Sequence, residues 1–255
     1  MKTTSCAYRL ICALVILTHL TRLNAQNCAI PVEYLPVQGP CKRIIEEEYT
    51  YLKGKKTRAY RKEISFNSSG NVEYILRTLE NGRMMNTRFL YNEAGKLISW
   101  VNYSNEGVST VSVNWKAKKN VTEMRKTDID GALINQTVMK FDKDCQLIEE
   151  QIIQNEQLVI GKKYEYNAPG LKSKMELLEP DELGRLSKSI MNFYVYLDNG
   201  LLWKHYYTAE KLVKHEYRYP SFDSQGNWTV REDFIANKQS KLGKRTSVVT
   251  RSIIY

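Results

Sequence analysis

The sequence has few residues of the kinds that carry catalysis or bind metals. Its 255 residues include three His and five Cys. It contains no Gly-x-Ser-x-Gly elbow, no His-Glu-x-x-His zinc motif, no phosphate loop and no Rossmann glycine fingerprint. These absences remove the hydrolases, metalloproteases and nucleotide-binding proteins that such motifs define, and we expect no cofactor.

Long hydrophobic runs are also missing, except for one short run near the start. The apolar stretch 10–17 follows Lys2 and Arg9, and the small residue Ala25 precedes Gln26. Such a run is too short to cross a hydrocarbon core of ~30 Å comfortably, and the arrangement is typical of a secretory signal peptide. We therefore predict cleavage near Ala25, a secreted or periplasmic location, and no transmembrane segment in the mature chain. A retained membrane anchor is the alternative.

The charge is positive but dispersed. Without residues 1–25, which hold Lys2, Arg9 and Arg22 and no acid, the formal charge falls from +10 to +7. Basic residues cluster only at 53–62 and 238–245, so solvated strand faces explain the charge better than nucleic-acid binding. Seventeen Tyr beside six Pro favour half-buried β-strands.

Three cysteines remain after the proposed cleavage. Cys28 and Cys41 flank a Pro-containing segment, and an exported chain meets oxidising conditions, so we predict a disulfide between them. Cys145 is then left over. No Cys-x-x-Cys or His-x-x-x-His spacing occurs, so the sequence predicts no metal site.

A short motif recurs along the chain. It consists of an aromatic residue, usually Asn or Asp, two spacers, usually Gly, one further residue, and then an apolar or aromatic side chain. The aromatic positions are Phe66, Tyr91, Trp115, Phe141, Tyr166, Tyr196 and Phe222, separated by 24 to 30 residues. Such a period indicates an array of supersecondary units.

Each unit reads as a β-hairpin. Asn or Asp can accept hydrogen bonds within its own turn, Gly supplies a positive φ, and second reversals such as Asn81-Gly82 follow the outgoing strands. In one outgoing strand, alternation places Leu97 on the face opposite Trp100. Only 173–178 is a weak helix candidate. The sequence therefore predicts an all-β fold, an extended antiparallel meander of stacked hairpin repeats of about 25 residues. The pattern fits either an open or a closed sheet.

The copies beginning at Tyr91 and Phe222 resemble the YD repeat, the tyrosine–aspartate hairpin repeat of Rhs-type proteins, and the end of the chain resembles small exported Bacteroidota members of that group. The resemblance implies stacked hairpins facing the cell envelope or the exterior. It divides the chain into a signal peptide (1–25), an N-terminal segment with the first hairpin (26–59) and a YD-like repeat domain (60–255).

The aromatic residues near the C-terminus are the predicted site of recognition. The predicted binding residues are Trp203, Lys204, Tyr206, Tyr217 and Trp228, which can offer stacking surface and positive charge, although packing between hairpins explains the same residues.

No catalytic residue is predicted, although His205 and His215 can face each other across a hairpin. We expect a non-enzymatic exported scaffold or binding protein whose partner is an envelope protein or glycan. The alternative is a glycan-active hydrolase that uses carboxylates on the sheet face.

Overall fold

The chain forms a closed antiparallel barrel of sixteen strands. The computed structural model describes residues 37–52, 55–116, 120–168, 170–181, 185–208, 212–235 and 243–255. The strands are β1 (Arg43–Leu52), β2 (Lys55–Phe66), β3 (Val72–Leu79), β4 (Met84–Tyr91), β5 (Leu97–Ser104), β6 (Gly107–Lys116), β7 (Val121–Asp128), β8 (Leu133–Phe141), β9 (Leu147–Gln154), β10 (Gln157–Ala168), β11 (Leu171–Pro180), β12 (Leu186–Tyr196), β13 (Leu202–Thr208), β14 (Leu212–Phe222), β15 (Trp228–Ile235) and β16 (Lys244–Ile254).

The predicted meander of hairpins is confirmed, but it is not extended. Each strand pairs with its sequence neighbours, and β16 returns to pair with β1 from Arg43↔Ile254 to Thr50↔Ser247. The boundary predicted between residues 59 and 60 falls inside β2. The weak helix candidate at 173–178 is part of β11. Over the described ranges, no helix is long and apolar enough to cross a membrane.

The repeated motif forms the turns at one end of the barrel. The Asn67 side chain accepts hydrogen bonds from the backbone N–H groups of Ser69 and Asn71, and Asp223 does the same in the last copy. The motif glycine has a positive φ, +72° at Gly95, where an L-residue would be strained. Cys145 adopts the same conformation, with φ 62°, where other copies have Gly.

A β-bulge follows most of these turns. In the β4–β5 hairpin, Leu90 pairs with Ser99 but Tyr91 pairs with Leu97, so Ile98 has no partner. The same irregularity follows the motif in five other hairpins. The bulge corrects the predicted alternation in β5, because Leu97 and Trp100 pack in one apolar cluster instead of facing opposite ways.

The motif aromatics bond to the preceding hairpin. The Tyr91 hydroxyl donates to the Val72 carbonyl at 2.8 Å, and Trp115 Nε1 donates to the Leu97 carbonyl at 3.0 Å. Tyr166 donates in the same way to the Leu147 carbonyl, and Tyr219, three residues before the motif position Phe222, donates to the Leu202 carbonyl, both at 2.9 Å. We call these four bonds the aromatic ladder. They satisfy strand carbonyls and join the hairpins that they connect.

The register identifies the inner face of the barrel. Glu46 of β1 lies opposite Lys62 of β2 and Arg251 of β16, and the same alternate positions carry the buried Ile44 and Val249. In a closed barrel alternate residues face the interior, so this buried set is the inner face. It continues around the barrel to the apolar cluster of Leu97, Val111, Met124, Met139, Phe141 and Leu147.

The cysteine prediction needs correction. Cys41 is a free thiol, packed against the cluster of Ile44, Ile64 and Val72, and its Sγ donates to the Arg43 carbonyl at 3.4 Å. Cys145 is disulfide-bonded, and its partner lies outside the described residues, as does Cys28. The Cys28–Cys41 pairing was inferred from closeness in sequence. The fold instead places the Cys41 side chain against the apolar cluster.

Candidate functional site

Five aromatic and imidazole rings stack on the inner face of β12, β13 and β14. Tyr194 lies opposite His205, and His205 lies opposite His215, which confirms that the two histidines face each other. The predicted turn near Ala209 lies outside the described residues. We call Tyr194, His205, Tyr207, His215 and Tyr217 the ring stack. All five side chains are half-buried, so each retains an accessible surface.

Ring distances define an almost continuous surface. Tyr194 and His205 stack with centroids 4.9 Å apart and an interplanar angle of 2°. His215 lies 6.0 Å from His205, 5.9 Å from Tyr207 and 6.5 Å from Tyr217. Offset rings at these separations attract one another. Because neighbouring rings stack on each other, their facing sides are occupied, and a ligand can contact only their edges and the faces that remain uncovered.

Both imidazoles are held in the neutral form. Burial lowers the pKa of His205, and the nearby His215 lowers it further. Burial also lowers the pKa of His215, although attraction to Asp233 partly offsets this. His205 Nε2 is hydrogen-bonded to Asn192 Oδ1 at 2.9 Å. At neutral pH the ring stack is therefore an uncharged aromatic surface with a fixed orientation.

A cation borders the ring stack. The Lys172 ammonium lies 4.4 Å from the centroid of the Tyr164 ring and 5.9 Å from that of Tyr194. Burial lowers the pKa of Lys172. This edge of the surface combines positive charge with aromatic rings through cation–π contacts.

Ion pairs occupy the inner face beside the ring stack. Arg231 binds Asp233 through two bonds of 2.8 and 3.1 Å, and Glu46 contacts Lys62 at 2.8 Å and Arg251 at 3.0 Å. Burial opposes ionisation of Glu46, but these two cations outweigh it and hold its pKa below the usual value. Both acids are paired with cations, and the three cations outnumber them by one.

The predicted binding residues are divided between the two faces. Tyr217 belongs to the ring stack. Trp203, Lys204 and Tyr206 lie on the outer face, where the Lys204 ammonium sits 3.6 Å from the Trp203 ring centroid. Trp228 is inside but only 4% exposed, covered by the Arg251 guanidinium at 3.7 Å. The five residues therefore do not form one surface, and Trp228 has little area for a ligand.

Sequence reasoning missed Tyr194, and it counted Tyr207 among the C-terminal aromatic residues but not among the predicted binding residues. A signal was present, because His205 and Tyr207, and likewise His215 and Tyr217, recur with a period of two. The bulge at Trp203 interrupts this period of two, so the signal was not recognised. By adding a residue, the bulge turns Trp203 outward and moves the inward positions of β13 to Leu202, His205 and Tyr207.

The two imidazoles are not oriented by acids. Within the described residues neither imidazole is hydrogen-bonded to a carboxylate, and His205 is oriented by Asn192. Three inner carboxylates, Glu46, Glu150 and Asp233, each contact a cation, Glu150 through Lys162 at 2.9 Å. Across the described ranges no group of three metal-ligating side chains occurs.

The fold is similar to that of known porin-like proteins. One, from Bacteroides uniformis ATCC 8492, has a TM-score of 0.58 and 10% identity, with 84% of this chain and 97% of that chain covered. Another, from Bacteroides vulgatus ATCC 8482, has a TM-score of 0.40 and 10% identity, with 82% of this chain and 97% of that chain covered. No protein-family model matches the chain, and no curated protein is similar to it in sequence.

The suggested YD-repeat, Rhs-like membership is wrong. The sheet closes into a sixteen-stranded barrel whose structural neighbour is porin-like, and it does not form an open array of hairpin repeats. The motif misled because Asn or Asp followed by Gly is what a tight antiparallel turn requires in any family. The motif predicted the hairpins correctly and the family incorrectly.

Proposed function

We propose that this chain is an exported, non-enzymatic binding protein of the cell envelope that holds a glycan against the ring stack inside its barrel. The observation that carries this proposal is the row of accessible, neutral rings, with Tyr194 and His205 parallel at 4.9 Å. Sugar rings carry C–H groups that pack against accessible aromatic rings. An envelope protein whose segment enters the barrel is the alternative partner.

The outer face supports a barrel that stands in water. Ion pairs occur on this face: Lys140–Glu149 at 2.9 Å, Lys188–Glu176 at 2.8 Å and Arg245–Glu232 at 2.6 Å, with Glu176 and Glu232 near the middle of their strands. A barrel that spans a bilayer carries an apolar band of about 25 Å outside, because charged groups there are costly. We therefore propose that the wall faces solvent and that recognition takes place inside.

Export remains part of the proposal. The signal peptide, 1–25, lies outside the described residues. The disulfide at Cys145 is consistent with an oxidising compartment such as the periplasm or the exterior.

The binding test compares inner and outer aromatic substitutions. The purified mature protein is titrated with polysaccharide extracted from the cell envelope. Tyr194→Ala and Tyr217→Ala should each weaken binding about tenfold, since stacking of nucleic-acid bases on aromatic side chains contributes on the order of 1–3 kcal/mol per ring. Tyr206→Ala, on the outer face, is the matched control and should bind normally.

Two results would count against this function. Equal loss with Tyr206→Ala would place recognition outside the barrel. Release of sugar products, abolished by Glu150→Gln in a folded variant, would identify a hydrolase instead.

The location of the barrel has a separate test. The mature protein should remain monodisperse without detergent and produce no conductance steps in planar lipid bilayers. A requirement for detergent together with stable channels would show a membrane-spanning porin.

A further inference from the structure

A small cavity opens on the inner face between β5 and β8, on the opposite side of the barrel from the ring stack. Its volume is about 190 Å³. The lining residues are Trp100, Asn102, Val111, Met124, Lys126, Asn135 and Thr137. We call it the polar cavity. Pockets for drug-sized ligands measure roughly 300–1,000 Å³, so this one suits a single small molecule or one unit of a longer chain.

The cavity has an apolar floor and a polar rim. Val111 and Met124 are buried in the apolar cluster, and the Trp100 ring packs against them. The polar side chains come from the next inward positions along the strands, toward the end of the barrel opposite the repeated-motif turns. There Lys126 pairs in register with Asn135. One strand period therefore places a flat indole face beside amide, hydroxyl and ammonium groups.

Three of the rim groups have no partner. Within the described residues, no acid lies within ion-pair distance of the Lys126 ammonium, and the side chains of Asn135 and Thr137 make no hydrogen bond. Asp128, two positions further along β7 on the same face, accepts the N–H groups of Asp130 and Ala132 through Oδ1. These three groups of the rim are half-buried and open to solvent, so a ligand in the cavity can take the place of water on them.

Asn102 is only partly committed. Its Oδ1 accepts the Thr87 hydroxyl at 2.9 Å, and its Nδ2 lies 3.5 Å from Ser109 Oγ. The first bond fixes the direction of the amide. The second bond is long, so the Nδ2 group can also donate to a ligand oxygen. The rim therefore offers one cation and several neutral hydrogen-bonding groups.

We propose that the polar cavity binds one acidic sugar unit, with its carboxylate on Lys126, its hydroxyls on Asn102, Asn135 and Thr137, and its ring on the Trp100 indole. The inference rests on the proposed glycan binding and narrows it to glycans that contain uronic-acid units. Charge decides between acidic and neutral sugars, because a carboxylate satisfies the unpaired ammonium through a charge-assisted hydrogen bond.

The test is calorimetric titration of the purified protein with glucuronate and with glucose. Glucuronate should bind about tenfold more tightly than glucose. Lys126→Met should remove that preference. Lys163→Met, the same substitution at an exposed lysine of the outer face, should keep it.

Asn135→Asp provides a second variant of nearly unchanged shape. It sets a carboxylate against the ligand, so glucuronate affinity should fall while glucose affinity persists. Equal affinities for the two sugars, or a preference that survives Lys126→Met, would overturn the acidic-sugar site. If wild-type protein binds envelope polysaccharide through the ring stack but not glucuronate, the proposed function stands and this inference fails.

Discussion

The two facing imidazoles make the protein sensitive to acid. The pKa of each is lowered in the folded state, so below the ordinary value of 6.5 the unfolded chain takes up more protons than the folded chain. Protonation would also place two positive charges on rings 6.0 Å apart. The histidine contribution to stability is therefore fully present above about pH 6.5 and decreases as the pH falls below it.

A double substitution tests the direction of this pH dependence of stability. The free energy of unfolding, measured by urea titration at pH 7.5, 6.0 and 5.0, should decrease in the wild type as the pH is lowered. In His205→Gln/His215→Gln it should fall less over the same range, whatever its value at pH 7.5. Parallel pH profiles would show that the pair does not titrate as its environment implies.

At the scale of the elements, the aromatic ladder joins successive hairpins. Tyr91→Phe removes one hydroxyl and leaves the Val72 carbonyl without its donor. The expected cost is about 1 kcal/mol in the free energy of unfolding, measured by chemical denaturation. Tyr103→Phe is the control, since Tyr103 is exposed on the outer face and should change stability by less than about 0.5 kcal/mol. If the two substitutions changed the free energy of unfolding equally, the aromatic ladder would have no structural role.

The hairpins were predictable from sequence because their signals are local. Asn67, Gly95 and Asp223 act within a few residues of themselves, and the structure uses them as predicted. The bulges were not predictable, because an unpaired residue such as Ile98 is defined only by the register of two strands. This one omission misassigned the face of Leu97 and led to the placement of Trp203 with Tyr217 on one surface.

At the scale of the whole molecule, the closure of the sheet into a barrel could not be predicted from the sequence. Every hairpin pattern fits an open meander as well as a barrel, since only the contact between β1 and β16 distinguishes them. That contact joins residues about two hundred positions apart, such as Glu46 and Arg251. The candidate site depends on closure, because it turns one face of the sheet into an interior. The sequence therefore pointed to recognition by aromatic residues without identifying which aromatics share a surface.

The seam between β1 and β16 should be the most sensitive point of the barrel. Glu46 and Arg251 are 5% and 1% exposed, and Arg251 also covers Trp228. Arg251→Met leaves a buried carboxylate with Lys62 as its remaining cation, and breaking a buried pair in this way typically costs about 3–5 kcal/mol. Because the pair spans the seam, unfolding of this variant should begin there, with early hydrogen exchange in β1 and β16.

The double variant Glu46→Gln/Arg251→Met separates charge from packing. Removing the stranded carboxylate should restore only part of the lost stability, because Glu46→Gln also leaves the Lys62 ammonium without its acid. Arg245→Met, which breaks the exposed Arg245–Glu232 pair of the outer face, should cost less than about 1 kcal/mol. If Arg251→Met costs no more than Arg245→Met in urea unfolding, then the buried pair does not hold the barrel closed, and closure must rest on the β1–β16 hydrogen bonds and the apolar cluster of Ile44, Ile64 and Val72.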